Sequence, residues 1–262
     1  MRRRHVLLNA MTLPWLAACA VPNTRADQAP PAGVTAIPVS CPPPGARWRA
    51  RVTETAFLRA GTVEDRTIAA TPVTLPVFLP SIFPLFSLFF SPERMESPGR
   101  GKAGLGLDSG GGRITVLDPA TCDVIATLEG NTPLTLNLPA AGPFGGSLWV
   151  GKRWRTVYDH SDFTYGRTWN AAEYRAHVPT FEDVTVPAGT FRAFRVEALG
   201  GVGTSVFGNG FGARGSSPGI ETTETHWYAP DVKLPVKSVI ERLGSHHRGA
   251  GRTVIELLER PV

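Results

Sequence analysis

Apolar and polar residues alternate along most of this chain in short runs, and glycine or proline closes nearly every run. The clearest case is Phe181 to Glu197. Val184 and Val186 share one face while Asp183 and Thr185 take the other; beyond a turn, Phe194 and Val196 share a face opposite Arg195 and Glu197. Pro187 has no amide to give a ladder, so the first strand stops there. Gly189 can supply the positive φ that reversal needs. The same period of two predicts strands over Trp48–Leu58, Val63–Ala70, Ile114–Leu117, Cys122–Leu128, Leu134–Leu138, Trp154–Tyr158, Thr222–Tyr228, Val236–Leu243 and Thr253–Leu258. In the first of these, Trp48, Ala50, Val52, Ala56 and Leu58 form an apolar face that only Glu54 interrupts, and Arg47, Arg49 and Arg51 form the solvated one. No convincing amphipathic helix occurs. Many short strands punctuated by Gly and Pro predict an all-β domain whose consecutive strands pair antiparallel in a meander.

Two kinds of stretch break the rhythm. Val73 to Phe90 carries no charge and holds five of the 13 phenylalanines, Phe83 and Phe86 among them. Its length suffices for a membrane span. Pro76, Pro80 and Pro84 exclude a continuous helix, because each interior proline costs about 3 kcal/mol. The segment reads as an irregular connection over the core, or as an apolar lid over a ligand mouth or a loop at a lipid surface. Gly99–Arg113 and Gly200–Gly219 are glycine-rich without a phosphate-binding spacing. Mobile loops are therefore expected near residues 72–112 and 200–219.

The amino terminus changes the picture of charge and location. Arg2-Arg3-Arg4, the interrupted apolar run Val6–Leu16 and Leu16-Ala17-Ala18-Cys19 describe a secretory signal. The ending resembles a bacterial lipoprotein cleavage box, which implies removal of residues 1–18 and lipidation of Cys19. Ala20 stands where an Asp would retain the protein at the inner membrane, so the expected location is the outer membrane's inner leaflet, facing the periplasm. General and twin-arginine export both fit. Residues 19–45, with Pro30-Pro31 and Pro42-Pro43-Pro44, read as a flexible tether, and 46–262 as a single β-rich domain. The whole chain has 27 basic and 22 acidic residues, net +5; without residues 1–18, which hold three arginines and no acid, the balance falls to +2. That gives no electrostatic case for nucleic acid. Cys41 and Cys122 would be a disulfide in an oxidising compartment, or two thiols.

Chemistry is sparse. No G-x-S-x-G elbow is present, and within Asp159-His160-Ser161-Asp162 adjacent side chains diverge. Glu224 and His226 share a strand face with Tyr228 beyond; they read as an exposed polar face opposite Trp227. No metal-ligand spacing and no cofactor motif occurs, and no catalytic residue can be named.

Val150-Gly151-Lys152-Arg153-Trp154, then Val184-Thr185-Val186-Pro187-Ala188-Gly189-Thr190-Phe191, then Trp227-Tyr228-Ala229-Pro230 and Pro235-Val236-Lys237 together resemble a bacterial secreted β-domain of unknown function. That group is similar in architecture to the LolA/LolB-like lipoprotein-carrier fold. The resemblance covers Gly151–Val262 and implies a strongly curved antiparallel sheet, a half-barrel, with no catalytic residues to carry over. Asp231-Val232-Lys233-Leu234 departs from the pattern, where a glycine is usual. The leading expectation is a non-enzymatic, lipid-anchored protein. Its concave sheet would be lined by Trp154, Phe194 and Trp227, roofed by Phe83 and Phe86, and would hold an apolar ligand such as an acyl chain, or serve envelope maintenance. Its partners would be the membrane, through the lipid, and envelope proteins. A structural or protein-interaction module with a full core is the alternative. A hydrolase is third and would need a histidine, an acid and a nucleophile to converge in space.

Overall fold

The computed structural model describes residues 25–56, 59–76, 101–163, 168–204, 217–243 and 250–262. The alternating runs become strands: β1 (Arg25–Asp27), β2 (Ile37–Pro38), β3 (Arg47–Ala56), β4 (Arg59–Thr74), β5 (Ala103–Asp108), β6 (Arg113–Leu117), β7 (Val124–Glu129), β8 (Thr132–Ala141), β9 (Ser147–Leu148), β10 (Arg153–Asp162), β11 (Thr168–Val186), β12 (Gly189–Thr204), β13 (Ser217–Ala229), β14 (Leu234–Leu243) and β15 (Gly251–Glu259). No helix occurs among the described residues.

Twelve strands, β3–β8 and β10–β15, form one closed antiparallel barrel in meander order. This corrects the half-barrel. The seam is made by β8 on β10, with Asp159–Asp162 opposite Leu138–Thr135; β1 continues along the same edge of β10, from Trp154 to Thr156. Closure needs strongly coiled strands, and register shifts at His177/Thr180, Val202/Thr204, Trp227/Tyr228 and Leu257/Glu259 supply local twist. It also needs close strand contacts. Residues 103–108, expected in a mobile loop, form β5, and a Cβ at Gly104 or Gly106 would lie 2.4 Å from Val116 Cγ1 or 2.5 Å from Val73 Cγ2. Glycine there answers to packing rather than to mobility.

The wall has two characters. Outside, Arg49–Glu259, Arg51–Asp65, Arg155–Glu173–Arg175, Arg195–Glu197–His177, Lys237–Glu256 and Arg252–Glu241 pair along and between strands. A barrel that crosses a membrane presents an apolar outer band, so this charged wall faces water. Inside, side chains alone fill about eight strands' width, and a twelve-stranded ring is wider. The chain supplies a plug. Residues 37–45, expected in the tether, pack inward: β2 pairs with β9, Val39 is buried, and the Tyr228 hydroxyl donates to Ser40 O (3.0 Å) while accepting from Ser40 N (2.9 Å). Phe144 and Leu148 join them against Tyr158, Tyr174, Val178, Val196 and Tyr228.

Two further pieces close the plugged end. Lys152 is 2% exposed; its Nζ donates to Gly145 O (2.5 Å) and Ser147 O (2.7 Å) and lies 4.9 Å from the ring centroids of Trp149 and Trp154. Gly151 before it holds φ +91°, a conformation that side chains resist. The β11–β12 hairpin outruns β13 and folds back, with Pro187-Ala188 at its tip, Gly189 at φ +121° and Ala188 N donating to Leu257 O (3.1 Å). Val186, Phe191 and Ala193 thereby join Trp48, Val236 and Leu257 in one core. Cys41 and Cys122 are joined by a disulfide that ties the plug to the turn before β7.

Candidate functional site

Burial along the inner wall is graded on four adjacent strands. On β14 it runs from Val236 and Ser238, both buried, through half-buried Ile240 to exposed Arg242. On β3 Trp48, Ala50 and Val52 are buried and Glu54, on the same face, is exposed; on β15 Leu257 is buried and Ile255 and Thr253 are half-buried. On β13 Tyr228 and His226 are buried and Glu224 and Thr222 half-buried. The lumen is therefore filled at the plugged end and solvent-reached toward the other rim. Its floor lies at the level of His226 and Ser238.

That floor is polar. Register puts His226 directly opposite Ser238, and Glu224 two residues from His226 on the same face. His226 Nδ1 lies 2.9 Å from Ser238 Oγ and Nε2 lies 2.9 Å from Glu224 Oε2. The Tyr174 hydroxyl donates to the same Glu224 oxygen at 2.6 Å. Tyr174 stands two strands away, and it reaches because Gly200, its partner on β12, has no side chain: a Cβ there would meet the ring at 3.0 Å. Phe144 of the plug closes the floor, its ring 5.7 Å from that of His226.

Charge here is organised around Glu224. Burial by itself would raise its pKa, but the hydrogen bond and charge of His226, the Tyr174 hydroxyl and the Arg242 guanidinium outweigh it and hold the carboxyl below the ordinary range. Burial, then the Glu224 charge, pushes the Tyr174 phenol well above its usual value and the Tyr158 phenol up to about 12. Both tyrosines thus remain donors at neutral pH. Among the described residues no group of His, Cys, Asp and Glu is arranged to hold a metal ion.

The residues singled out in the sequence scatter. Trp154 and Phe194 are both buried in the plug core, and Trp154 also borders a cleft on the wall side. Trp227 is not with them. It points outward, its Nε1 donating to Glu182 Oε1 (2.8 Å), with the Arg195 and Lys237 cations each 5.9 Å from its ring. The inward face of β13 is accordingly the polar one, the reverse of the expected exposed face opposite Trp227. Polar side chains are tolerated inside because Tyr174, Ser238 and each other satisfy them. Cys19, Phe83 and Phe86 lie outside the described residues. No sequence signal marks Tyr174, Ser238 or Arg242, and Gly200 reads there only as the start of a glycine-rich loop. The available signal was Glu54, which breaks an otherwise apolar face just where the lumen turns polar.

Two clefts lie outside the lumen. One of about 650 Å³ runs over the outer wall between Arg153, Arg155, Arg175, His177, Glu197 and Leu199. The other, about 340 Å³, lies beside the disulfide among Pro42, Pro43, Pro44, Pro72, Leu105 and Pro119. Trp154, Ala176 and Ala198 also line the first, and the Arg155–Glu173–Arg175 and His177–Glu197 pairs border it; the second is a gap beside the plug.

Fold and site define a plugged, water-facing β-barrel with a half-open polar lumen. No family model and no curated protein matches the chain. Among solved structures it is similar to a presumed lipoprotein of Parabacteroides distasonis, at 12% identity and TM-score 0.37, over 86% of this chain and 99% of that one. It is also similar to a presumed exported protein with a YmcC-like fold from Bacteroides fragilis, at 12% identity and TM-score 0.31, over 85% and 98%.

Proposed function

We propose that this protein is a lipid-anchored, periplasm-facing binding module of the cell envelope, held at the membrane through Cys19 and taking an amphipathic ligand into the half-open lumen. The observation that carries the reading is the graded burial on β3, β13, β14 and β15, which leaves a recess between a charged rim and a polar floor. Ile240 and Ile255 offer apolar walls, Arg242 and Glu54 charges at the mouth, and Thr222, Tyr174 and Ser238 hydroxyls. A purely apolar acyl chain in an aromatic cleft fits less well, since Phe194 is packed in the core and the cleft that Trp154 borders is rimmed by Arg153, Arg155, Arg175, His177 and Glu197. Export and anchoring rest on the lipoprotein-like amino terminus.

Native mass spectrometry of the full-length Cys19→Ala protein tests the lumen. A co-purified ligand, or saturable binding of a fluorescent fatty acid that Ile240→Trp abolishes, is the expected result. A protein that carries nothing and binds nothing refutes it. Anchoring is tested separately: Cys19→Ala should leave the membrane fraction.

A further inference from the structure

The lumen floor holds more than a binding surface requires. A carboxylate only accepts hydrogen bonds, so His226 Nε2 carries the proton it shares with Glu224. In the neutral ring Nδ1 is then left to accept from the Ser238 hydroxyl, 2.9 Å away. This is the connectivity of nucleophile, base and orienting acid in serine hydrolases, with the two ring nitrogens exchanged; such a constellation is recognised by geometry and roles rather than by chain order. We propose that Ser238, His226 and Glu224 form an acyl-transfer relay acting on a carboxylic ester bound in the lumen, an inference that rests on the lumen being a ligand site.

Each part has a stated role. Ser238 Oγ attacks the ester carbonyl as its proton passes to His226 Nδ1. The carbon–oxygen bond to the alkoxide breaks, and the alkoxide takes that proton and leaves as the alcohol. Water then attacks the acyl-serine, giving up a proton to His226; the acid departs and Ser238 recovers its hydrogen. Glu224 stabilises the imidazolium that forms in each half-reaction and fixes the tautomer that precedes it. Tyr174 is a positioning residue: its hydroxyl holds the carboxylate oxygen that His226 uses, and Gly200 leaves the ring room to do so. Half-buried Ile255, opposite Ser238 on β15, and Ile240, two residues along β14, suit a short acyl group, while exposed Arg242 suits an ester that carries an anionic group toward the mouth.

The test uses the full chain, a fluorophosphonate probe and diethyl pyrocarbonate, with modified residues mapped by peptide mass spectrometry. The relay predicts phosphonylation of Ser238, its loss in Ser238→Ala, and labelling slowed ~100-fold in His226→Gln with unchanged circular dichroism. p-Nitrophenyl butyrate should be hydrolysed with the same dependence. Diethyl pyrocarbonate reports access independently, because it acylates His226 whenever small electrophiles reach the floor. If His226 is modified and Ser238 stays unlabelled, the relay is refuted and the lumen stands. If neither residue reacts, the lumen reading falls and the relay with it. A label on any residue other than Ser238 also overturns the proposal.

Discussion

Replacing Lys152 by methionine removes an ammonium while keeping most of its stem, and it isolates what holds the plug. In the wild type that ammonium serves the carbonyls of Gly145 and Ser147 and lies against Trp149 and Trp154. Losing it leaves two buried acceptors short of a donor, at about 1–3 kcal/mol each. Two cation–π contacts go as well, worth roughly 0.5–2 kcal/mol each. Against these stands relief from burying a charge, which offsets several kcal/mol of the loss. The net expectation is destabilisation by about 3 kcal/mol, or a Tm lowered by roughly 6–12 °C for a domain of this size. Thermal unfolding followed by far-ultraviolet circular dichroism measures it, and the near-ultraviolet signal of Trp149 and Trp154 reports the loop itself. A variant melting within about 2 °C of wild type with its near-ultraviolet spectrum intact would show that Lys152 does not latch the plug.

Other consequences follow from the same structure. Cys41→Ser with Cys122→Ser opens a link across 81 positions, and the chain-entropy model puts the loss at roughly 4 kcal/mol; unchanged denaturant midpoints would contradict it. Gly104→Val forces a side chain into Val116 inside a closed wall and should cost about 1–3 kcal/mol or more by overpacking, read from the urea midpoint, where a neutral result would argue against the tight β5–β6 contact. Glu224 titrates lower in the folded chain than unfolded, so its ionised form stabilises the fold. That contribution is complete above the ordinary value of 4.5 and is lost as pH falls through the lowered folded value. Glu224→Gln should therefore flatten the acid limb of the Tm–pH curve, and an equally steep limb in the variant would remove Glu224 from the account.

How far the sequence could be read depends on which interactions are local. Strand positions were legible because alternation is written into neighbouring residues, as at Val184 and Val186 or Trp48, Ala50 and Val52. The turn at Pro187-Ala188-Gly189 was legible for the same reason. Closure was not, since the β8–β10 seam joins Leu138 to Asp159 through a register no local pattern encodes. The tether is shorter than residues 19–45 because Val39 packs with Tyr228 and Ser40 bonds to it from 188 positions away. Residue type alone makes Gly104 and Gly106 look like flexible positions, whereas their role is to let Val116 and Val73 approach. In Lys152, a residue type that is almost always exposed proved to be an interior latch.

The candidate site turned on a single parity. On β13, Glu224, His226 and Tyr228 share one face and Trp227 takes the other, and period alone cannot say which face is inside. Hydrophobicity favours Trp227 inward. A wide barrel overrides that preference: its outer wall is a mesh of ion pairs in which an indole can lie between Arg195 and Lys237 and donate to Glu182, and its inner wall can carry acids and imidazoles if partners stand on facing strands. Those partners are Ser238, which the hairpin connection to β14 places opposite His226, and Tyr174, which Gly200 lets through from β11. Neither is near Glu224 in the sequence, and neither has a recognisable motif. The arrangement that a hydrolase would require is thus built from strand register rather than from a loop signature, which is why motif reading passed over it and why chemical labelling at Ser238 is the measurement that decides whether the register also makes chemistry.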